Sequence, residues 1–212
     1  MDQTMSLLEL FELGGPFMWP LLVFSIATVG LILERVVYLA LHDLRVRDIR
    51  DAVVQIIRRD GLEAAREYCA GLKQRRGAKT VFVELLAHTG MGEHRMEKAA
   101  EAEGNERVRS LENGFNLLQA IAGIAPLCGF LGTVSGMIGA FRSIAEADQV
   151  NAQLVAHGIY EALITTVYGL IIAIIALSAV NILMHVVDSF AAHVEKAVSD
   201  TITAVLAAGE SA

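Results

Sequence analysis

The chain has 212 residues, 54% of them apolar and 19% charged, with a formal net charge of −7. Soluble domains carry nearer a quarter charged residues, so the apolar excess points to lipid, and the acidic balance opposes a nucleic-acid partner. The two cysteines, Cys69 in a charged segment and Cys128 in an apolar run, make neither a disulfide framework nor a metal-binding spacing.

Residues 1–15 contain Asp2, Glu9 and Glu12 but no Lys or Arg. A cleavable signal begins with basic residues, so this segment is expected to stay on the chain, facing outward. Residues 16–41 form the first long apolar stretch, interrupted only by Glu34-Arg35. A helix of roughly 20 apolar residues crosses a bilayer, and Trp19 suits the aromatic belt at one interface.

Residues 42–112 are charged and helix-friendly, and Gly61, Gly71, Gly77, Gly90 and Gly92 should divide them into several short helices. Within them Lys73–Lys79 (KQRRGAK) reads as a basic loop, either a solvated turn or a contact for anionic headgroups. Two further apolar stretches follow. Residues 113–142 carry no charge before Arg142, and residues 149–187 carry one, Glu161. The short outer loop 143–148 makes them an antiparallel hairpin. Beyond it, residues 188–212 keep an apolar face through Phe190, Val194, Val198, Ile202 and Val205, as an amphipathic extension of the third span. The expected fold is all-α: three transmembrane helices, a cytoplasmic helical segment, and a long third helix extending into the cytoplasm.

Segment 42–112 holds fourteen Lys or Arg and the first fifteen residues hold none. The positive-inside bias therefore places that segment and the C-terminus in the cytoplasm, with the N-terminus and hairpin loop outside.

Glu161 carries the chemistry. A carboxyl inside a span is costly and usually faces a bundle interior or a watery path. Away from water its neutral form is favoured, and that form can exchange a proton. The alternative is a glutamic acid that only bridges helices or stays hydrated near the surface. Hairpin symmetry puts Thr133 and Thr166 at similar depth, with Glu161 about 7–8 Å farther out at helical rise. Thr165 shares a face with Glu161 more closely than Thr166 does, so spacing leaves both threonines open as path residues. Gly129, Gly132, Gly136 and Gly139 form a smooth stripe on the second span, opposite Gly158, Ala162 and Gly169, which lets the helices approach closely. Pro126 removes one backbone donor and should bend that span. No phosphate-binding G-x-x-x-x-G-K-[ST] loop occurs, so nothing points to ATP hydrolysis or to an enzyme.

Ala125–Phe141 (APLCGFLGTVSGMIGAF) and Gly158–Leu170 (GIYEALITTVYGL) resemble the two helix signatures of the MotA/TolQ/ExbB proton channel family, closest to its ExbB/TolQ branch. The resemblance covers these two helices closely and the remainder in layout. It implies a bacterial inner-membrane subunit that assembles as a homopentamer around the helices of a single-span ExbD/TolR-like partner with a membrane aspartate. A TonB/TolA-like protein would complete the machine, and proton flow would drive its motion. Thr133, Glu161 and Thr166 match the family's polar channel lining, and Pro126 and Gly132 its second-helix positions. Ile175 stands where relatives often have proline, which implies a straighter third helix. No cofactor is implied, and H⁺ is expected rather than Na⁺, because Glu161 with few other ligands makes a thin sodium site. A membrane scaffold and a stand-alone ion channel are the competing readings.

Overall fold

The computed structural model describes residues 11–209 apart from Glu12, Gln74 and 147–151. Most of the expected outward N-terminal segment, the end of the 143–148 loop, the first residues of 149–187 and the last three residues lie outside the described residues. The helices are α1 (Met18–Leu41), α2 (Arg47–Asp60), α3 (Leu62–Gly71), α4 (Lys79–Ala87), α5 (Glu93–Glu112), α6 (Phe115–Glu146) and α7 (Ala152–Gly209), with a 3₁₀ turn at Thr89–Met91. Among the described residues the only β-type pairing is an isolated bridge between Asp43 and Arg76. The protein is an all-α membrane protein.

Three helices, α1, α6 and α7, are long and apolar enough to cross a membrane. Trp19, Ile26, Leu127 and Ile174 are 64%, 65%, 67% and 64% exposed on this chain, an apolar surface that suits lipid or other membrane helices. The chain divides into two compact units.

The first unit takes residues 1–34 and 114–181. Its core joins Met18 and Leu21 of α1 to Ile121 and Ala125 of α6 and to Ile164 and Ile172 of α7. The helix α6 is assigned without a break through Pro126, and α7 through Ile175.

The second unit takes residues 35–113 and 182–212. In α2, Ile49, Val53 and Ile57 recur four apart and are buried, while Asp48 in the first turn and Arg58 and Arg59 in the last suit the helix dipole. Gly61 and Gly92 sit at the breaks before α3 and α5. Arg66 braces α3 against the end of α4: its guanidinium donates to the Leu86 carbonyl (3.1 Å) and the Thr89 hydroxyl (2.7 Å). Lys79 caps the C-terminus of α3, donating to the carbonyls of Ala70 (3.0 Å) and Leu72 (2.6 Å). The distal part of α7 buries Phe190, Val194, Val198, Ile202 and Val205.

Cys69 is fully buried in this unit, and burial pushes its thiol up from 9.0 to about 11. Only the thiolate is nucleophilic. At pH 8 its thiolate fraction should therefore be roughly a hundredfold below that of a thiol titrating at 9.0. Alkylation with iodoacetamide followed by peptide mass analysis should leave Cys69 unlabelled in the folded protein and label it in denaturant. Rapid labelling of the native protein at pH 8 would show that this core opens.

Candidate ion-pathway site

The site is built on the α6–α7 hairpin, where small residues let two backbones meet. A β-carbon on Gly129 would come within 2.6 Å of the Thr165 carbonyl oxygen, and one on Gly169 within 2.5 Å of the Ala125 carbonyl oxygen. One on Gly132 would collide with the Thr165 hydroxyl, and one on Gly136 would lie 3.1 Å from the Ala162 β-carbon. Gly139 differs from its neighbours on the stripe: nothing lies within 4 Å of a β-carbon there. It borders open space instead.

That space is a cavity of about 330 Å³, lined by Gly132, Ser135, Gly136, Gly139, Ala140 and Ser143 of α6, Gly158 and Glu161 of α7, and the Gly14–Phe17 turn. Ser135, Gly139 and Ser143 lie four apart, so they present one polar, narrow face of α6 to the Glu161 side chain. The volume accommodates several waters, and a carboxyl with serine hydroxyls supplies their hydrogen-bond partners. Glu161 is half-buried.

The three threonines behave differently from Glu161 and, among the described residues, do not line this cavity. Thr165 is buried; its hydroxyl lies 2.8 Å from the Ala162 carbonyl and 3.1 Å from the Gly129 carbonyl. The Thr166 hydroxyl donates to the same Gly129 carbonyl at 3.2 Å. Both hydroxyls therefore tie α7 to α6 through one acceptor. That acceptor lies three residues beyond Pro126, whose missing N–H thins the hydrogen-bond ladder of α6. The Thr133 hydroxyl donates within its own helix, to Phe130 (2.6 Å). In a threonine already bonded to a carbonyl, the oxygen lone pairs remain to accept a proton or a water.

Gly15 is the neighbour of Glu161 that periodicity does not reveal. Its φ is +67°, in the left-handed region, and a β-carbon there would fall on Oε1 of Glu161. The turn thus lays bare backbone against the carboxylate, as only glycine allows. Its cue in the sequence was the Gly14-Gly15-Pro16 run just before an apolar helix, a turn signal with proline near the helix start. Gly15→Ala should cost about 1–3 kcal/mol from the left-handed backbone and push the turn off the carboxyl. Labelling of Glu161 by a water-soluble carbodiimide, followed by mass spectrometry, should then rise several-fold. Unchanged labelling would mean that the turn does not shield the group.

Comparison with known proteins agrees with this architecture. Residues 70–196 match the MotA/TolQ/ExbB proton channel family. The putative biopolymer transport protein ExbB-like 1 of Synechocystis is 34% identical over 204 residues, 91% of this chain and 78% of that protein. The biopolymer transport protein exbB1 of Vibrio cholerae is 31% identical over 193 residues, 90% of this chain and 84% of its own. The Tol-Pal system protein TolQ of Haemophilus influenzae is 38% identical over 125 residues, 58% of this chain and 54% of that one. With three membrane helices, a carboxyl-bearing cavity in the hairpin and these matches, the chain belongs to the MotA/TolQ/ExbB proton channel family.

Proposed function

We propose that this protein is the proton-channel subunit of an inner-membrane motor, converting proton motive force into mechanical work through a single-span ExbD/TolR-like partner. The observation that carries the reading is Glu161: a half-buried carboxyl, on an otherwise uncharged stretch of a membrane helix, opening on a cavity with Ser135 and Ser143. Such a group can take a proton from one side and release it toward a partner carboxyl when the partner moves. One charge crossing 100 mV yields about 2.3 kcal/mol, enough to bias a helix rotation strongly. The threonines, Thr133 with Thr165 and Thr166, continue the polar line inward from Glu161. Gly129, Gly132, Gly136 and Gly169 hold the wall together. The subunit acts as a homopentamer around the partner's helices, with its N-terminus in the periplasm and its C-terminus in the cytoplasm. H⁺ is the carried ion. The names of the relatives, biopolymer transport protein and Tol-Pal system protein, support a role in energising envelope processes, with a TonB/TolA-like protein downstream.

The test is the mass of the detergent-solubilised particle, prepared with and without an ExbD/TolR-type partner. A five-fold particle that takes up the partner's helices is expected. A particle that ignores such partners, or substantial proton flux through this chain alone in liposomes, would replace the motor reading with a scaffold or a stand-alone channel.

A further inference from the structure

In the second unit, a groove of about 800 Å³ opens where the first span ends. Its walls are the segment Leu39–Asp48 and the part of α7 from His185 to His193. The lining combines apolar Leu39, Leu44, Val186 and Phe190 with Arg45 and Arg47, both exposed. The basic loop Lys73–Lys79 is pinned beside it. The Asp43 N–H donates to the Arg75 carbonyl (3.0 Å), the Gly77 N–H donates to the Asp43 carbonyl (2.9 Å), and Gly77 packs under the Phe190 ring. These bonds hold Arg75 and Gly77 beside the end of α1.

The charges at the groove do not cancel. The Asp43 carboxylate is engaged by Arg76 (3.4 Å) and by the Arg45 N–H (3.1 Å). Arg47 is oriented by His193, its guanidinium donating to Nε2 at 3.0 Å. Among the described residues, the one further lining carboxylate against Arg45, Arg47 and the neighbouring exposed Arg75 is Asp48. A net positive, partly apolar groove at the last turn of a membrane helix lies at headgroup depth.

We propose that this groove holds the phosphate headgroup of an anionic phospholipid, with Arg45, Arg47 and Arg75 as its counter-charges and the apolar lining of Leu39 and Phe190 against its glycerol and upper acyl carbons. The apolar lining favours a lipid over a soluble anion, which would have no use for it. The uncompensated arginines favour an anionic over a zwitterionic headgroup, whose ammonium they would repel. Guanidinium groups suit the phosphate, which they can bind through two parallel hydrogen bonds. The proposal requires the membrane location but not the proton pathway.

The experiment uses the full-length protein in detergent, titrated with phosphatidylglycerol or phosphatidylcholine and read by native mass spectrometry as lipids retained per subunit. Each basic residue near a membrane surface contributes roughly fivefold, so phosphatidylglycerol should be held at least tenfold more tightly. The triple variant Arg45→Gln, Arg47→Gln, Arg75→Gln should fall to the phosphatidylcholine level, whereas the corresponding triple lysine variant should keep much of the preference. Arg58→Gln with Arg59→Gln, at the far end of α2, should leave it unchanged. Circular dichroism confirms that each variant is folded; if the glutamine triple variant is not, the three single variants, each expected to lose several-fold, carry the test. Equal retention of both lipids, or loss in the Arg58/Arg59 variant as large as in the groove variant, would overturn the proposal. So would full competition by millimolar inorganic phosphate, which would make this a soluble-anion site.

Discussion

Glu161→Gln is expected to bring proton flux through the assembled complex to background while leaving the mass of the particle unchanged. Glutamine keeps the volume and the hydrogen-bonding shape of the side chain, so the cavity beside Ser135, Ser143 and Gly139 should persist. What is lost is the ability to bind and release a proton, the one step a carboxyl performs there that an amide cannot. Thr133→Val should give a smaller loss, since it removes one hydroxyl from a polar line and no proton-binding group. Flux is measured with a pH-sensitive dye in liposomes containing the subunit with its partner under an imposed potential. Wild-type flux in Glu161→Gln would remove this residue from the pathway. A silent Glu161→Gln combined with a Glu161→Ala variant that falls apart would make the carboxyl an assembly contact.

The second large effect lies in the hairpin wall. Gly169→Val should destabilise the subunit by about 1–3 kcal/mol or prevent its assembly, because overpacking a close helix pair forces backbones apart. The atom in the way is the Ala125 carbonyl oxygen, 2.5 Å from where the β-carbon would sit, and a backbone atom cannot swing aside as a side chain can. Gly129→Val meets the Thr165 carbonyl in the same manner and also threatens the carbonyl that serves both threonine hydroxyls. Gly139→Ala is the internal control: it lies on the same stripe but has open space, so its stability should stay within about 0.5 kcal/mol of wild type. Unfolding in increasing dodecyl sulfate, followed by circular dichroism, separates these outcomes. Equal behaviour of Gly169→Val and Gly139→Ala would mean that the stripe does not set the helix separation.

The contrast between Gly129 and Gly139 shows where reading along the chain stops. Spacing places both on one face of α6, and the expectation that they pack the hairpin treats them alike. The hairpin meets closely at Gly129, Gly132, Gly136 and Gly169, but a cavity takes its place at Gly139. Ser135 and Ser143, two helical turns apart, gain their meaning only from the adjacent carboxyl. Spacing likewise left Thr165 and Thr166 open. In the structure both hydroxyls lie within hydrogen-bond distance of the Gly129 carbonyl, with Thr165 buried and Thr166 partly so.

From its sequence alone this protein is an all-α membrane chain with three apolar spans, a charged helical segment between the first two, one carboxyl within the third, and two helix signatures of a proton channel family. Those properties are local or additive: hydropathy sums along a span, helical period repeats every turn, and a lone charge needs no neighbour to be conspicuous. The tertiary structure alone decided that Gly15 lies on the Glu161 carboxylate, that two threonines share one carbonyl, and that the 73–79 loop is bonded to Asp43. Each of these joins residues about 30 or more positions apart, through backbone atoms whose meeting depends on how helices pack rather than on which residues precede or follow them.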